Sequence, residues 1–332
     1  AEGAFPTPDG RARFVAVEPA PPARLPGPDF PLVLNTGRLR DQWHTMTRTG
    51  RSPRLSAHEP EPFVAVHPDD LPGGREAGFA AVETATGRAL VRVRADVGMR
   101  PGTAFMPMHW SRSVAAAGGA GPLSSAAADA VSGQPELKHA PARLASWTPG
   151  WSGFLIARMP VELGAMPYWA RRQAAGCQVH ALAGTALRDL SAAALLGPSG
   201  EAEELELTDL SRGRYRWARL VGGRLEACLF VAPGGPTQPG AWLEELFSRD
   251  ALSAEERRWL LSGRSPASRP DEGPVVCSCM QVGRDRILAA CREQGLAGVE
   301  AVGAVTGAGT NCGSCIPELR ELIAHARHRS AA

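Results

Sequence analysis

No apolar run in this chain of 332 residues approaches the roughly 18 that a membrane-crossing helix needs. No basic stretch followed by an apolar core marks a secretory leader either. Lysine is nearly missing: Lys138 is the one in the chain, arginine dominates the basic side, and the net charge is only +2. The arginines are scattered, which is the pattern of a solvated surface, so nothing points to nucleic acid. Neither Gly-x-x-x-x-Gly-Lys-[Ser/Thr] nor Gly-x-Gly-x-x-Gly is present, which removes the two commonest phosphate cradles. Cysteine is sparse over the first 270 residues, where Cys177 and Cys228 stand alone. That sparseness argues against a disulfide framework and points to a reducing cytoplasm.

The cysteine that is present is concentrated in the tail. Four of the seven lie in Val276-Cys277-Ser278-Cys279-Met280 and Gly309-Thr310-Asn311-Cys312-Gly313-Ser314-Cys315-Ile316-Pro317. The spacing is Cys-x-Cys, thirty-two residues, then Cys-x-x-Cys. Two close thiol pairs joined across a short insert make a four-sulfur site, and soft thiolates suit zinc or an iron–sulfur cluster. Zinc sites more often space both pairs as Cys-x₂₋₄-Cys, so Cys-x-Cys favours iron–sulfur, with a zinc knuckle and uncoordinated thiols as the alternatives. The insert reads as a helix over 283–294 stopped by Gly295, a second helix over 299–305 and a loop over 306–311. Pro317 suits the first turn of a last helix running to about Arg327. Cys312 and Cys315 then lie at a helix N-terminus, where exposed N–H groups stabilise thiolates. Cys291 is expected to be a small buried hydrophobe, not a fifth ligand.

Upstream, the chain divides by composition into a mixed α+β, multidomain fold. Residues 1–30 hold seven prolines and read as an extended connector with at most one strand, over 13–17. Residues 31–146 read as short strands between Gly and Pro turns, the pattern of a barrel. The strands are 31–35, 63–67, a hairpin of 80–84 and 90–97 about Thr86-Gly87, and 105–110. Along the second hairpin strand, Val91, Val93, Ala95 and Val97 are expected on the buried face. Residues 147–262 read as a small α+β module that begins at Trp147-Thr148-Pro149-Gly150-Trp151. It contains a hairpin about Gly222-Gly223, and a capping box, Ser253 with Glu256, that opens a helix. His180 is expected to be structural. Pro266, Pro270, Gly273 and Pro274 make 263–274 a linker to the cysteine unit at 275–330.

Within the barrel region one loop is dense in donors, Thr36-Gly37-Arg38-Leu39-Arg40-Asp41-Gln42-Trp43-His44-Thr45-Met46-Thr47-Arg48-Thr49-Gly50-Arg51. Gly37 lets backbone approach a ligand, and Arg38 and Arg40 can grip phosphate oxygens with two parallel N–H groups. Thr36, His44, Thr45 and Thr47 add further donors. The loop suits a pyrophosphate-bearing ligand; a polar surface loop is the alternative.

Two resemblances sharpen this reading. Cys277-x-Cys279 with Thr310-Asn311-Cys312-Gly313-Ser314-Cys315-Ile316-Pro317-Glu318 resembles the bacterioferritin-associated-ferredoxin type of 2Fe–2S domain, a small helical unit. Asn35-Thr36-Gly37-Arg38, Gln42-Trp43-His44-Thr45, His67-Pro68-x-Asp70, Pro107-Met108-His109-Trp110 and Ser132-Gly133-Gln134-Pro135-Glu136-Leu137-Lys138 resemble the molybdopterin-dinucleotide-binding domain, above all that of assimilatory nitrate reductases. The second resemblance implies a six-stranded double-psi β-barrel. It also implies dinucleotide contacts from Thr36, Gly37, Arg38, Arg40, Trp43, His44 and Thr45, with a further one from Lys138. This chain departs from the pattern at Gly121, where relatives often carry an asparagine contact. The residues beside the cluster region, Tyr215-Arg216 and Gly223-Arg224-Leu225, resemble weakly a small module found in nitrite reductases.

Together the resemblances imply the C-terminal part of an assimilatory nitrate reductase catalytic subunit. Its cofactors would be molybdenum bis(molybdopterin guanine dinucleotide) and a 2Fe–2S cluster held by Cys277, Cys279, Cys312 and Cys315. The implied partners are the upstream part of the same polypeptide, a flavoprotein reductase or ferredoxin as electron donor, and nitrate as substrate. The start at Ala1 and Phe5-Pro6-Thr7-Pro8-Asp9-Gly10 reads as the middle of a longer protein. No Cys-x₂-Cys-x₃-Cys motif and no thiol suited to molybdenum occur here, so no residue is assigned to catalysis. The rivals are another molybdopterin oxidoreductase such as a formate dehydrogenase, and a free-standing iron–sulfur carrier.

Overall fold

The structure, a computed structural model, describes residues 3–330 except 17, 72, 74–76, 117, 165, 188–189, 199 and 267–271. The first strand and helix are β1 (Leu32–Gly37) and α1 (Pro53–His58). They are followed by β2 (Phe63–Val66), β3 (Ala77–Thr84), β4 (Arg88–Ala95), β5 (Thr103–Pro107) and β6 (Ala140–Trp147). These six strands close into a barrel in the order β1-β5-β2-β4-β3-β6. The β1–β5 and β2–β4 pairs are parallel and the remaining pairs are antiparallel. Side chains alternate along a strand, so Leu32 and Leu34 of β1 and Ala89, Val91 and Val93 of β4 enter one core with Val64, Val66, Val82 and Met106. Burying each such aliphatic side chain is worth about 1.5–3 kcal/mol. Val97 departs from the expected face. The strand ends at Ala95 and a turn follows, which leaves Val97 82% exposed.

The next six strands form a separate antiparallel sheet. They are β7 (Trp151–Ala157), β8 (Tyr168–Ala174), β9 (Cys177–Gly184), β10 (Glu203–Asp209), β11 (Arg214–Val221) and β12 (Arg224–Ala232), in the order β10-β11-β12-β7-β9-β8. Gly222 and Gly223 both have positive φ and make the two-residue turn between β11 and β12 that the strands' twist requires. Both faces of the sheet are covered. Phe154, Ile156, Val179, Leu220 and Phe230 pack on helices α3 (Ala241–Leu246) and α4 (Ala254–Leu260), while Leu155, Leu182, Trp217 and Leu229 lie over the short helix α2 (Ala192–Leu196). Ser253 and Glu256 make the reciprocal capping box at α4. Cys177, Cys228 and His180 are buried in the sheet. Residues 13–16 form no strand, and Val17 lies outside the described residues. The linker reading over 263–274 falls partly on 267–271, Pro270 included, which also lie outside them.

Barrel and sheet meet at Met46, Phe79, Trp110, Tyr168 and Ala181. Phe79 and Tyr168 pack edge to face at 4.7 Å. Glu61 lies inside this joint. Its Oε2 accepts from the Tyr168 hydroxyl at 2.6 Å, and its Oε1 accepts from the Thr237 hydroxyl at 2.6 Å and the Gln238 amide at 3.2 Å.

The last unit begins with β13 (Val275–Cys277) and β14 (Val282–Gly283), then α5 (Arg284–Gln294), α6 (Val299–Thr306) and α7 (Ile316–Ser330). Gly295 and Gly307 end α5 and α6 in the left-handed conformation. Val276, Ile287, Cys291, Val302, Leu319 and Ile323 form its core. Among the described residues there are seven α-helices, and no helix is long and apolar enough to cross a membrane.

Candidate functional site

The arginine–threonine loop leaves the C-terminal end of β1 and is held in shape by buried polar groups. His109 follows β5, the parallel neighbour of β1, and is fully buried. Its Nε2 accepts from the Leu39 N–H at 2.8 Å. The other ring nitrogen, Nδ1, is therefore the protonated one and donates to the His44 carbonyl at 2.6 Å. Burial, the largest influence, pushes this imidazole below its usual range, so it is a neutral clamp across the loop. Gln42 adds a second tie, donating to the Leu55 carbonyl at 3.0 Å and accepting from Thr49 Oγ1 at 2.7 Å. Between these ties His44 and Met46 have φ of 44° and 61°, a left-handed backbone costing about 1–2 kcal/mol per non-glycine residue. Such strain persists where the surroundings over-determine it.

The expected dinucleotide residues divide into groups. Arg38, Trp43 and His44 stand together on the exposed edge of the loop. The Arg38 guanidinium lies 5.1 Å from the Trp43 ring, and Trp43 and His44 meet edge to face at 4.6 Å. Thr45 turns into a cavity of about 420 Å³ between the loop and the second sheet, where Arg51, Arg171 and Arg172 also lie. Thr36 is buried and donates to the Leu137 carbonyl at 2.6 Å, and the Lys138 ammonium donates to the Thr36 carbonyl. Gly37 is small for a neighbour inside the protein: a Cβ there would stand 2.5 Å from the Phe105 ring. Gly121 opens the short 3₁₀ turn ending at Leu123, whose carbonyl accepts from Thr84.

Arg40, expected beside Arg38 at the phosphates, is engaged elsewhere in the structure. It points away from that edge, into the cysteine unit, and all five of its N–H groups have acceptors there or in Asp41. Nε and Nη2 take the Asp41 carboxylate at 3.2 and 3.0 Å, and Nη2 also reaches the Val276 carbonyl at 3.2 Å. Nη1 reaches the Ser314 carbonyl at 3.3 Å and Glu318 Oε2 at 3.1 Å. Asp41 also accepts from Ser278 Oγ at 3.0 Å.

His58, at the end of α1, completes the contact. Its Nε2 lies 3.4 Å from Glu318 Oε2. Its Nδ1 stands 3.1 Å from Asp41 Oδ2 as an ion pair, out of line for a straight hydrogen bond. Burial alone would lower this imidazole, but the two carboxylates outweigh it and lift the group to about 9. Burial likewise opposes ionisation of Asp41, and His58, Arg40 and Ser278 overcome it, holding the carboxyl well below the usual carboxylate range. A group raised in the folded state contributes its stability below its unfolded pKa of about 6.5 and loses it as pH rises through the folded value. The contact between barrel and cysteine unit is therefore expected to weaken as pH rises from about 7 to 9.5, by on the order of 2–3 kcal/mol. Hydrogen exchange of the first turn of α7, corrected for its intrinsic pH dependence, checks this. A His58→Gln variant should show a flat response.

The four tail cysteines line one cavity of about 440 Å³ together with Arg40, Asp41 and Arg54. Cys277 and Cys315 are buried, Cys279 is half-buried and Cys312 is exposed. The thiols meet pairwise across the two motifs. Cys279 and Cys312 are 3.0 Å apart, and Cys277 pairs with Cys315. The Ser314 hydroxyl, 2.7 Å away, and Cys279 hold the Cys312 thiol down to about 7, while the shared hydrogen bond raises Cys279. Among the described residues no three His, Cys, Asp or Glu side chains close on the position of a single ion. Two thiol pairs around one cavity are a donor set that a [2Fe–2S] core, with two thiolates to each iron, can use.

Sequence reasoning passed over Asp41, Gln42, His58, His109 and Glu318 as site residues. His109 was within reach, since it follows the strand that neighbours β1, but the register that aligns Thr36 with Met106 is not written in either segment. Asp41, His58 and Glu318 acquire a role only through a contact spanning more than 200 residues.

Comparison with known proteins agrees with this geometry. Residues 32–141 match the molydopterin dinucleotide binding domain and residues 275–325 the BFD-like [2Fe-2S] binding domain. The chain is 38% identical over 325 residues to the nitrate reductase of Klebsiella oxytoca, covering 95% of this chain and 36% of that protein. The nitrate reductase of Shewanella frigidimarina is 35% identical over 43% of this chain and 17% of its own length. An F420-dependent formate dehydrogenase alpha subunit of Methanococcus maripaludis is 32% identical over 33% of this chain and 16% of its own length. The chain thus spans about a third or less of each of these relatives.

Proposed function

We infer that this chain is the dinucleotide-closing and electron-entry part of a molybdenum-dependent assimilatory nitrate reductase of the cytoplasm. The observation that carries the reading is the likeness to the Klebsiella nitrate reductase across 95% of the chain, against 33% for the formate dehydrogenase subunit. Barrel, middle sheet and cysteine unit occur together in that likeness. The parallel pairs β1–β5 and β2–β4 within a closed six-stranded barrel support the double-psi form.

When bound, the molybdenum centre supplies the two-electron reduction of nitrate to nitrite, and the 2Fe–2S cluster supplies one-electron relay from a flavoprotein or ferredoxin. The protein supplies placement. Arg38 offers a planar fork to the dinucleotide's phosphates, with Trp43, His44 and Thr45 beside it. The His109 and Gln42 ties keep these groups in position before the ligand arrives, which lowers the cost of ordering them. Thr36, Gly37 and Lys138 shape the strand end beneath. Cys277, Cys279, Cys312 and Cys315 hold the cluster, with Cys312 on the side open to a donor protein.

The reading is tested with full-length protein isolated from cells supplied with molybdenum. Nitrate-dependent oxidation of a reduced viologen supports it. Turnover with formate and none with nitrate replaces it by the formate dehydrogenase reading. Arg38→Ala is expected to lower the pterin dinucleotide content several-fold while leaving iron content unchanged, since removing one charge-assisted bidentate contact costs on the order of 1.5–3 kcal/mol. Unaltered pterin content would show that Arg38 does not hold the dinucleotide.

A further inference from the structure

The guanidinium of Arg40 sits where neither cofactor site, taken alone, requires it. It leaves the loop only two residues after Arg38, yet its donors are all used on Asp41 and the cysteine unit. Two of its acceptors are the carbonyls of Val276 and Ser314, the residues immediately before Cys277 and Cys315. It also lines the cavity on which the four thiols converge. Its charge faces Asp41 and Glu318, and the surrounding charged groups are His58 on α1 and Arg54, which lines the same cavity.

Resting on the 2Fe–2S reading above, we propose that Arg40 is a positioning residue that docks the cluster unit on the dinucleotide loop and raises the cluster's reduction potential. The reasoning is electrostatic. Reduction of the cluster adds one electron and neither makes nor breaks a bond, so the reduced form carries one more negative charge. A fixed positive charge against the backbone of two ligand-bearing loops stabilises that form more than the oxidised one. Solvent screens the interaction less here than at an open surface, because Arg40 and its partner Asp41 are largely covered, with side-chain exposures of 22% and 11%. Glu318 opposes Arg40 from the first turn of α7 and acts in the other direction. The loop that faces the dinucleotide thereby also sets the energy of the electron next to it.

The test is a redox titration of the full-length holoprotein, poised with mediators and dithionite and followed by the electron paramagnetic resonance of the reduced cluster. Arg40→Ala is expected to lower the midpoint potential by an amount equal to about a three- to tenfold fall in the reduced-to-oxidised ratio at fixed potential; tenfold corresponds to about 59 mV for one electron. Glu318→Gln is expected to raise it. Arg40→Lys, which keeps the charge and loses the fork, is expected to stay near the wild-type value. Arg40→Ala removes and Glu318→Gln weakens hydrogen bonds of the same contact, so a purely structural role would move both midpoints in one direction. Shifts of the same sign, an unchanged Arg40→Ala midpoint, or a lysine variant that falls as far as alanine would each overturn the proposal. If Arg40→Ala fails to retain its cluster, the Glu318→Gln measurement decides: a rise supports the proposal and no rise overturns it. Wild-type protein carrying zinc and no cluster signal would overturn the 2Fe–2S reading itself, which the iron and sulfide content shows separately.

Discussion

Replacing Cys315 with serine is expected to yield a colourless protein, with iron falling from two atoms per chain to near none. Cys315 is buried beside Cys277 at the start of α7, so a lost ligand there has no nearby substitute. A serine hydroxyl is a harder and far less acidic donor than a thiol, and iron–sulfur clusters are held by thiolates. Cys291→Ser is the matched control. Cys291 lies in the core of the same unit, packed among Ile287 and Val302, and its replacement should weaken packing but keep iron and sulfide. Iron, acid-labile sulfide and visible absorption measured on anaerobically purified variants check both. Equal iron loss in the two variants would mean that the core, not ligation, is being disrupted. Stoichiometric zinc in the unaltered protein would replace the cluster by a zinc site.

Glu61→Ala is expected to be the most destabilising single change at the joint between barrel and sheet, costing about 3–5 kcal/mol. The reason is the number of groups left behind. Tyr168 is 1% exposed, and its hydroxyl would lose an acceptor in a site that water does not reach. Thr237 and Gln238 would lose theirs as well. Hydrogen bonds to a charged acceptor are worth more than neutral ones, and an orphaned buried donor carries its full desolvation penalty. Glu61→Gln keeps the shape and still accepts from the hydroxyls, so its cost should be markedly smaller. Urea unfolding of the two variants, followed by the fluorescence of Trp110 and Trp147 near the joint, gives the comparison. A Glu61→Ala midpoint close to the unaltered protein's would show that the three donors find other partners.

Much of the local structure was legible in the sequence because its causes are local. Alternation placed Val91 and Val93 in the barrel core, and it misplaced Val97 only because the strand ends at Ala95. The paired glycines at 222 and 223 mark a turn that needs positive φ twice. Gly295 stops α5 for the same reason that Ser253 and Glu256 start α4: a helix end must satisfy its free backbone groups within one turn. The convergence of the two thiol motifs followed from their spacing and the short helices between them.

What lay beyond the sequence was the direction of side chains across long separations. Arg38 and Arg40 are alike in type, two residues apart in one polar loop, and chemistry alone gives both of them phosphate. Residues two apart need not share an environment in an irregular loop, and here one faces open solvent while the other meets a unit 236 to 278 positions later in the chain. Gly37 shows the same limit. The sequence called for a small residue there, and the parallel register of β1 with β5 is what sets the Phe105 ring against it. Spacing and turn chemistry by themselves pointed to a barrel, one hairpin about Gly222-Gly223 in an α+β module, and a four-thiol unit. Tertiary packing decided which charged groups those units turn toward each other, because a guanidinium goes to whichever acceptors the fold brings within reach.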